Sequence, residues 1–167
     1  LDHVFAHCRA MVLSLTDLAT WESLVEQYFR SHPMHHFELN HNGRFFPEYV
    51  VEAVATQRFR LPPHLADLAD FEWWEWQTYI TADSEQDRLA EQGQLRIASS
   101  VELRPFRFDL ISWLESAQPD GLASEPELLA NVVLFWRDRD LDLRRTTANQ
   151  LDLFIIKAVL EAVPIQP

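Results

Sequence analysis

Apolar positions fall at helical spacing through the first ninety-odd residues and at strand spacing after them. Trp21, Leu24, Val25, Tyr28 and Phe29 recur as one face of a helix. Thr20 stands before it as an N-cap, and His32-Pro33 ends it. A loop with His, Asn and Gly43 follows over 33–46. Pro47-Glu48 opens a second helix, with Pro tolerated in the first turn and Glu complementing the dipole; Tyr49, Val50, Ala53 and Val54 are its apolar side. Pro62-Pro63 punctuates, and a Trp-rich helix runs to about Ala82. A short polar helix over 84–92 closes on Gly93.

Beyond Gly93 the period becomes two. Leu95 to Ile97, Ser100 to Leu103 and Phe106 to Phe108 alternate as strands do, and Leu110 to Leu114 is compatible with a helical turn. Residues 116–127 read as a loop. Val132 to Trp136 is the clearest strand. Asp138-Arg139-Asp140 turns it, and Leu141 to Arg145 returns as the second arm of a hairpin. Thr147 with Gln150 matches a capping box. Leu151, Phe154, Ile155, Ala158, Val159 and Ala162 then form a closing amphipathic helix. The expectation is an α+β chain: a helical domain over 1–93, and a small winged-helix-like domain over 94–167 with a three-stranded antiparallel sheet and a C-terminal helix. No internal repeat is visible.

The Trp-rich helix holds the densest chemistry. Trp73, Trp74 and Trp76 are half of the six Trp in the chain. At about 100° per residue, Leu65, Leu68, Ala69, Trp73, Trp76, Tyr79 and Ile80 share a face. Glu72 falls near its middle, and Trp74 points away. Glu72 and Glu75 are helix neighbours, and an apolar setting raises a carboxylate pKa, so they form a candidate acid/base pair. The structural reading is favoured: Glu72 caps, or pairs with Arg58 or Arg60, because no nucleophile, phosphate loop or oxyanion motif accompanies it.

Composition removes several classes of function. Twenty-six acidic against fourteen basic residues give a net charge of −12. Phosphate neutralisation by Lys and Arg supplies most nucleic-acid affinity, so a nucleic-acid partner is not expected, nor is an anionic membrane surface. With 47% apolar residues and three Gly, the chain suits a packed core better than a Gly-rich phosphate-binding fold. Cys8 is the only cysteine, which excludes an intrachain disulfide, and it reads as a small buried hydrophobe. No apolar run approaches a membrane span. Leu1 opens the chain without Met, and His3, His7 and Arg9 interrupt its first segment, so it reads as trimmed or processed rather than as a signal peptide. His32, His35, His36 and His41 invite a metal reading. Pro33 breaks their helical spacing and no Cys or carboxylate pattern completes a site, so a solvated loop is expected and neither metal nor cofactor is assigned to the chain.

Val132 to Trp136 is apolar on both faces. One face is expected on the C-terminal helix. The other face and a free sheet edge await either the helical domain or an added peptide strand whose alternate side chains are read in pockets.

The order of three segments is similar to the HvfC-type proteins. Trp21-Glu22-Ser23-Leu24-Val25 with Tyr28-Phe29 comes first, then Phe46-Pro47-Glu48-Tyr49-Val50. The third runs from Leu61-Pro62-Pro63-His64 to Phe71-Glu72-Trp73, where that family carries a Tyr-Glu-Trp-like signature. Val133 to Asp138 resembles the family's apolar strand ending in Arg-Asp. The resemblance spans about residues 20–163. The short N-terminus is closer to the related TglI and methanobactin MbnC branches, while the motifs are closer to HvfC. It implies a cytoplasmic, non-catalytic partner of a TIM-barrel enzyme that holds several iron ions. Such partners bind the leader of a ribosomally made precursor peptide whose cysteines the enzyme modifies. On this reading Val132, Leu134, Trp136 and Arg144 bind the leader, Phe71 and Trp74 face the enzyme, and the leader carries some Lys or Arg. The competing readings are a stand-alone enzyme using Glu72, Glu75 and the His loop, and a winged-helix regulator with Arg137, Arg139, Arg144 and Arg145 on its hairpin.

Overall fold

A computed structural model describes residues 1–84, 96–116 and 125–161. The chain is α+β, combining helices with a small three-stranded antiparallel sheet and a C-terminal helix. Helices α1 (Ala6–Leu15), α2 (Leu18–Ser31), α3 (Phe46–Ala55) and α4 (His64–Ile80) come first, with a 3-10 turn at Leu39–Gly43. Strand β1 (Glu102–Phe106), helix α5 (Leu110–Glu115), strands β2 (Asn131–Arg137) and β3 (Leu143–Thr147) and helix α6 (Gln150–Leu160) follow. Helix α2 is capped by Asp17, which accepts from Thr20 N–H and hydroxyl, both at 2.8 Å; Thr20 itself lies inside the helix. Pro47 and Glu48 occupy the first turn of α3 as the sequence predicts. The capping box of α6 is Asn149 with Asp152, two residues later than the Thr147 pattern. The polar helix expected over 84–92 falls almost wholly outside the described residues, as does much of the 116–127 loop.

The sheet order is β1-β2-β3, so the strongest strand of the sequence is the central one. Glu102 pairs with Phe135 on one side, and Phe135 with Arg145 on the other. The inner face of the sheet packs on α4, the contact with the helical domain that the sequence offered for one of the two faces. Phe71 of α4 meets Phe106 of β1 and Phe135 of β2 with ring centroids 5.5 and 5.1 Å apart. One hydrophobic core therefore runs from α1 through α4 into β1 and β2, and the proposed domain boundary near Gly93 does not divide it. Helix α6 buries only Ala158, and Leu151, Phe154 and Leu160 are exposed.

Helix α4 holds this arrangement through three carboxylates aimed at three different elements. Near its start, buried Asp67 accepts from Arg107 N–H (2.8 Å) and Nε (2.9 Å) just beyond β1. In its middle, Glu72 is 3% exposed and accepts from His7 N–H (2.7 Å) and Cys8 N–H (3.0 Å). These donors belong to the first turn of α1, whose N-cap position, Phe5, offers no side-chain acceptor. The first N–H groups of a helix have no partner inside it, so Glu72 caps α1 from across the fold. Glu75 pairs with Arg145 of β3.

Removing a cap that leaves buried donors unsatisfied costs about 2–3 kcal/mol. Glu72→Ala is expected to lower the urea-unfolding free energy by that amount, with Glu72→Gln retaining part of it. Phe71→Ala, which opens a cavity under the sheet, is expected to cost about 3–5 kcal/mol in the same measurement.

Candidate functional site

The residues assigned from sequence do not gather in one place. Phe71 is fully buried, so it packs the core and cannot face an enzyme. Trp74 has a partner within the chain: the Arg104 guanidinium lies 3.3 Å from its ring centroid, and its indole N–H donates to Asp70 at 3.1 Å. Burial raises the Asp70 pKa, opposed by that indole and by Arg104. Trp74 is therefore half-buried between α4 and β1 rather than left over for another surface.

The two carboxylates border one cleft but are engaged by different partners. Glu72 is spent on α1 and on His7, whose Nδ1 lies 3.0 Å away, and Glu75 on Arg145; neither meets Arg58 or Arg60. Arg58 lies nearest Glu52, at 3.8 Å. Cys8, beside Glu72, has its thiol pKa pushed well up, first by burial and then by the neighbouring carboxylate. It is held as the neutral thiol, unsuited to nucleophilic attack. Among the described residues, no group of three or more His, Cys, Asp or Glu is placed to hold a metal ion. No helix among them is long and apolar enough to cross a membrane.

The ladder locates the sheet's open backbone. Ala148 N–H donates to Val132 O at 2.8 Å. Antiparallel strands alternate hydrogen-bonded and non-bonded pairs, so Thr146 and Arg144 turn their backbone groups toward Leu134 and Trp136. Leu143, Arg145 and Thr147 then present N–H and C=O on the free edge of β3. On the other side, the same alternation leaves Leu103 and Pro105 on the outer edge of β1. Pro105 has no N–H, which blunts that edge. Being central, β2 offers no edge. Val132, Leu134 and Trp136 can contribute only side chains, half-buried on the face opposite α4. Arg144 shares that face through its pairing with Trp136, and it is bound to Asp138 at 2.6 Å.

No family model and no curated protein matches the chain. Beside the start of β3 lies a cleft of about 260 Å³ between the ends of α1 and α4. Leu143, Val4, Trp76 and Tyr79 form apolar walls, and Glu72, Glu75 and His7 its polar part. Leu143 thus joins the open edge to a pocket. The sequence left open which edge of the sheet is free. Pro105 marks the blunted edge of β1, but using that signal required knowing the strand order.

Hydrogen bonding to Glu72 raises the His7 pKa, while burial and Arg145 oppose it. A raised folded-state value means that the side-chain pair stabilises fully below the unfolded value of about 6.5, and that this is lost as pH rises through the folded value. His7→Ala keeps the backbone cap. Its stability deficit is expected to be present at pH 6 and to vanish by pH 8.5 in urea titrations. Because His7 is 48% exposed, the deficit is expected to stay at or below about 1 kcal/mol.

Proposed function

We propose that this chain is a peptide-binding, non-catalytic subunit that takes the leader of a ribosomally made precursor peptide as an added strand on β3. The observation that carries this reading is the open edge at Leu143, Arg145 and Thr147, with a mainly apolar cleft at its end. Backbone bonds along such an edge give affinity, and a pocket beside it reads a side chain. An added strand would alternate its own side chains between the α4 side and the opposite face, where Val132, Leu134 and Trp136 stand one strand further in.

The sequence resemblance supplies the rest of the proposal. The catalytic partner is a TIM-barrel multinuclear iron enzyme, and the modified residue is a peptide cysteine. The stand-alone-enzyme reading is weaker, because Glu72 and Glu75 are each engaged with a different structural partner. The regulator reading is weaker as well. Arg144 is bound to Asp138 and Asp142, and Arg137 to Asp83, so these hairpin cations are already neutralised.

The test uses the heterodimer and the fluorescently labelled leader of a short Cys-containing precursor encoded beside this chain. Thr147→Pro removes one outward N–H and leaves the ladder to β2 intact. It is expected to weaken leader binding at least about tenfold in anisotropy, while Thr147→Val retains it. Equal binding by wild type and Thr147→Pro would remove strand addition at β3 from consideration.

A further inference from the structure

We infer that the histidine-rich loop forms a docking cleft for a partner-protein segment in which carboxylates are flanked by apolar side chains. The cleft, of about 430 Å³, lies between the end of α2 and the 3-10 turn. His32, His35, His36, His41 and Arg44 line it, and no carboxylate does. On a chain of 26 acidic and 14 basic residues, that absence sets the surface apart. Glu38 reaches it only as the partner of His41, at 3.4 Å.

The floor is built, not loose. Asn42 is buried, and its Oδ1 accepts from His35 N–H (2.9 Å) and His36 N–H (3.0 Å). Its Nδ2 donates to His36 O at 3.0 Å. Tyr28 hydroxyl donates to Asn42 O at 2.5 Å, which fixes the turn against α2. Gly43 sits so close to the start of α1 that a Cβ there would lie 2.9 Å from Leu1 and 3.1 Å from Phe5. These contacts hold the backbone that carries His35 and His36 in place before any ligand arrives, which lowers the ordering cost of binding.

Charge and apolar character together indicate the occupant. Arg44 stacks on Phe45 at 4.3 Å, and among the described residues its guanidinium has no carboxylate partner. Arg30 is paired with Glu26 and Arg58 with Glu52, so Arg44 is the cation of this region left to receive a carboxylate. Pro33 and Phe45 add apolar surface to the lining, and Phe37, 92% exposed, lies at its margin on His36, their ring centroids 4.6 Å apart. A small anion has no use for such a rim. A peptide with Asp or Glu beside aromatic or aliphatic residues uses both, its charge complementing Arg44 and its oxygens accepting from imidazole N–H groups.

The test pans phage-displayed random dodecapeptides on the intact chain and measures the enriched peptides by anisotropy. Enriched sequences are expected to combine Asp or Glu with large apolar residues. Their binding is expected to fall by about tenfold or more in Arg44→Glu and in Phe37→Asp, and to persist in Arg44→Lys. Thr147→Pro is expected to leave it unchanged, which separates this cleft from the β3 edge. Circular dichroism checks that Arg44→Glu is folded; if it is not, Phe37→Asp, at a side chain in solvent, carries the test. Basic or featureless enriched sequences, or binding indifferent to these variants, overturn the inference. So does Arg44-dependent binding of inorganic phosphate as tight as that of the best peptide, which would assign the cleft to a free anion.

Discussion

The buried carboxylate of Glu72 is the contact on which the rest of the arrangement depends. A charged group at 3% exposure is tolerated only if its oxygens are fully used. Both are, by two N–H groups of α1 and the imidazole of His7. Helix α1 lacks a cap of its own, so each side resolves the other's deficit. The bond spans more than sixty positions of sequence. It fixes α1 across α4, and the cleft beside β3 is bounded by that junction.

Helix α4 repeats the device at both ends. Asp67 takes the backbone and guanidinium of Arg107, and Glu75 takes Arg145. Between these polar ties, Phe71 fills the space over β1 and β2. The sheet's inner face is thereby occupied by a helix from the first half of the chain. Helix α6 is left with Leu151 and Phe154 in solvent, and the opposite face of the sheet is only half covered. Burial of Arg145 lowers its pKa, and Glu75 supplies the charge that makes its position tolerable.

Strand order governs what the sheet can do. Neither outer edge pairs with a further strand, but the two edges are unequal. Pro105 removes a donor from the β1 edge, whereas β3 offers donors and acceptors at Leu143, Arg145 and Thr147. Placing β2 in the centre converts its apolar residues from edge to face. Val132, Leu134 and Trp136 thus change role although their secondary structure is as the sequence predicts.

What the sequence alone determined is what local spacing determines. The α2, α3 and α4 helices, the β2–β3 hairpin, the α+β class and the burial of Glu72 follow from periods of 3.6 and 2 and from Pro and Asx punctuation. These signals act over a few residues, so they can be read along the chain. The partners could not. Sequence spacing assigned Trp74 to an outer surface because it points away from the apolar face of its helix; Arg104, thirty positions later, covers it. Phe71 was placed at an interface alongside Trp74, and the sheet buries Phe71. Glu72 was expected to cap a helix or to pair with Arg58 or Arg60; it caps, but the helix is α1, more than sixty positions away. A backbone N–H carries no sequence signature, and antiparallel order depends on which strand closes over which helix. Those two facts belong to the tertiary structure, and with them the identity of the open edge.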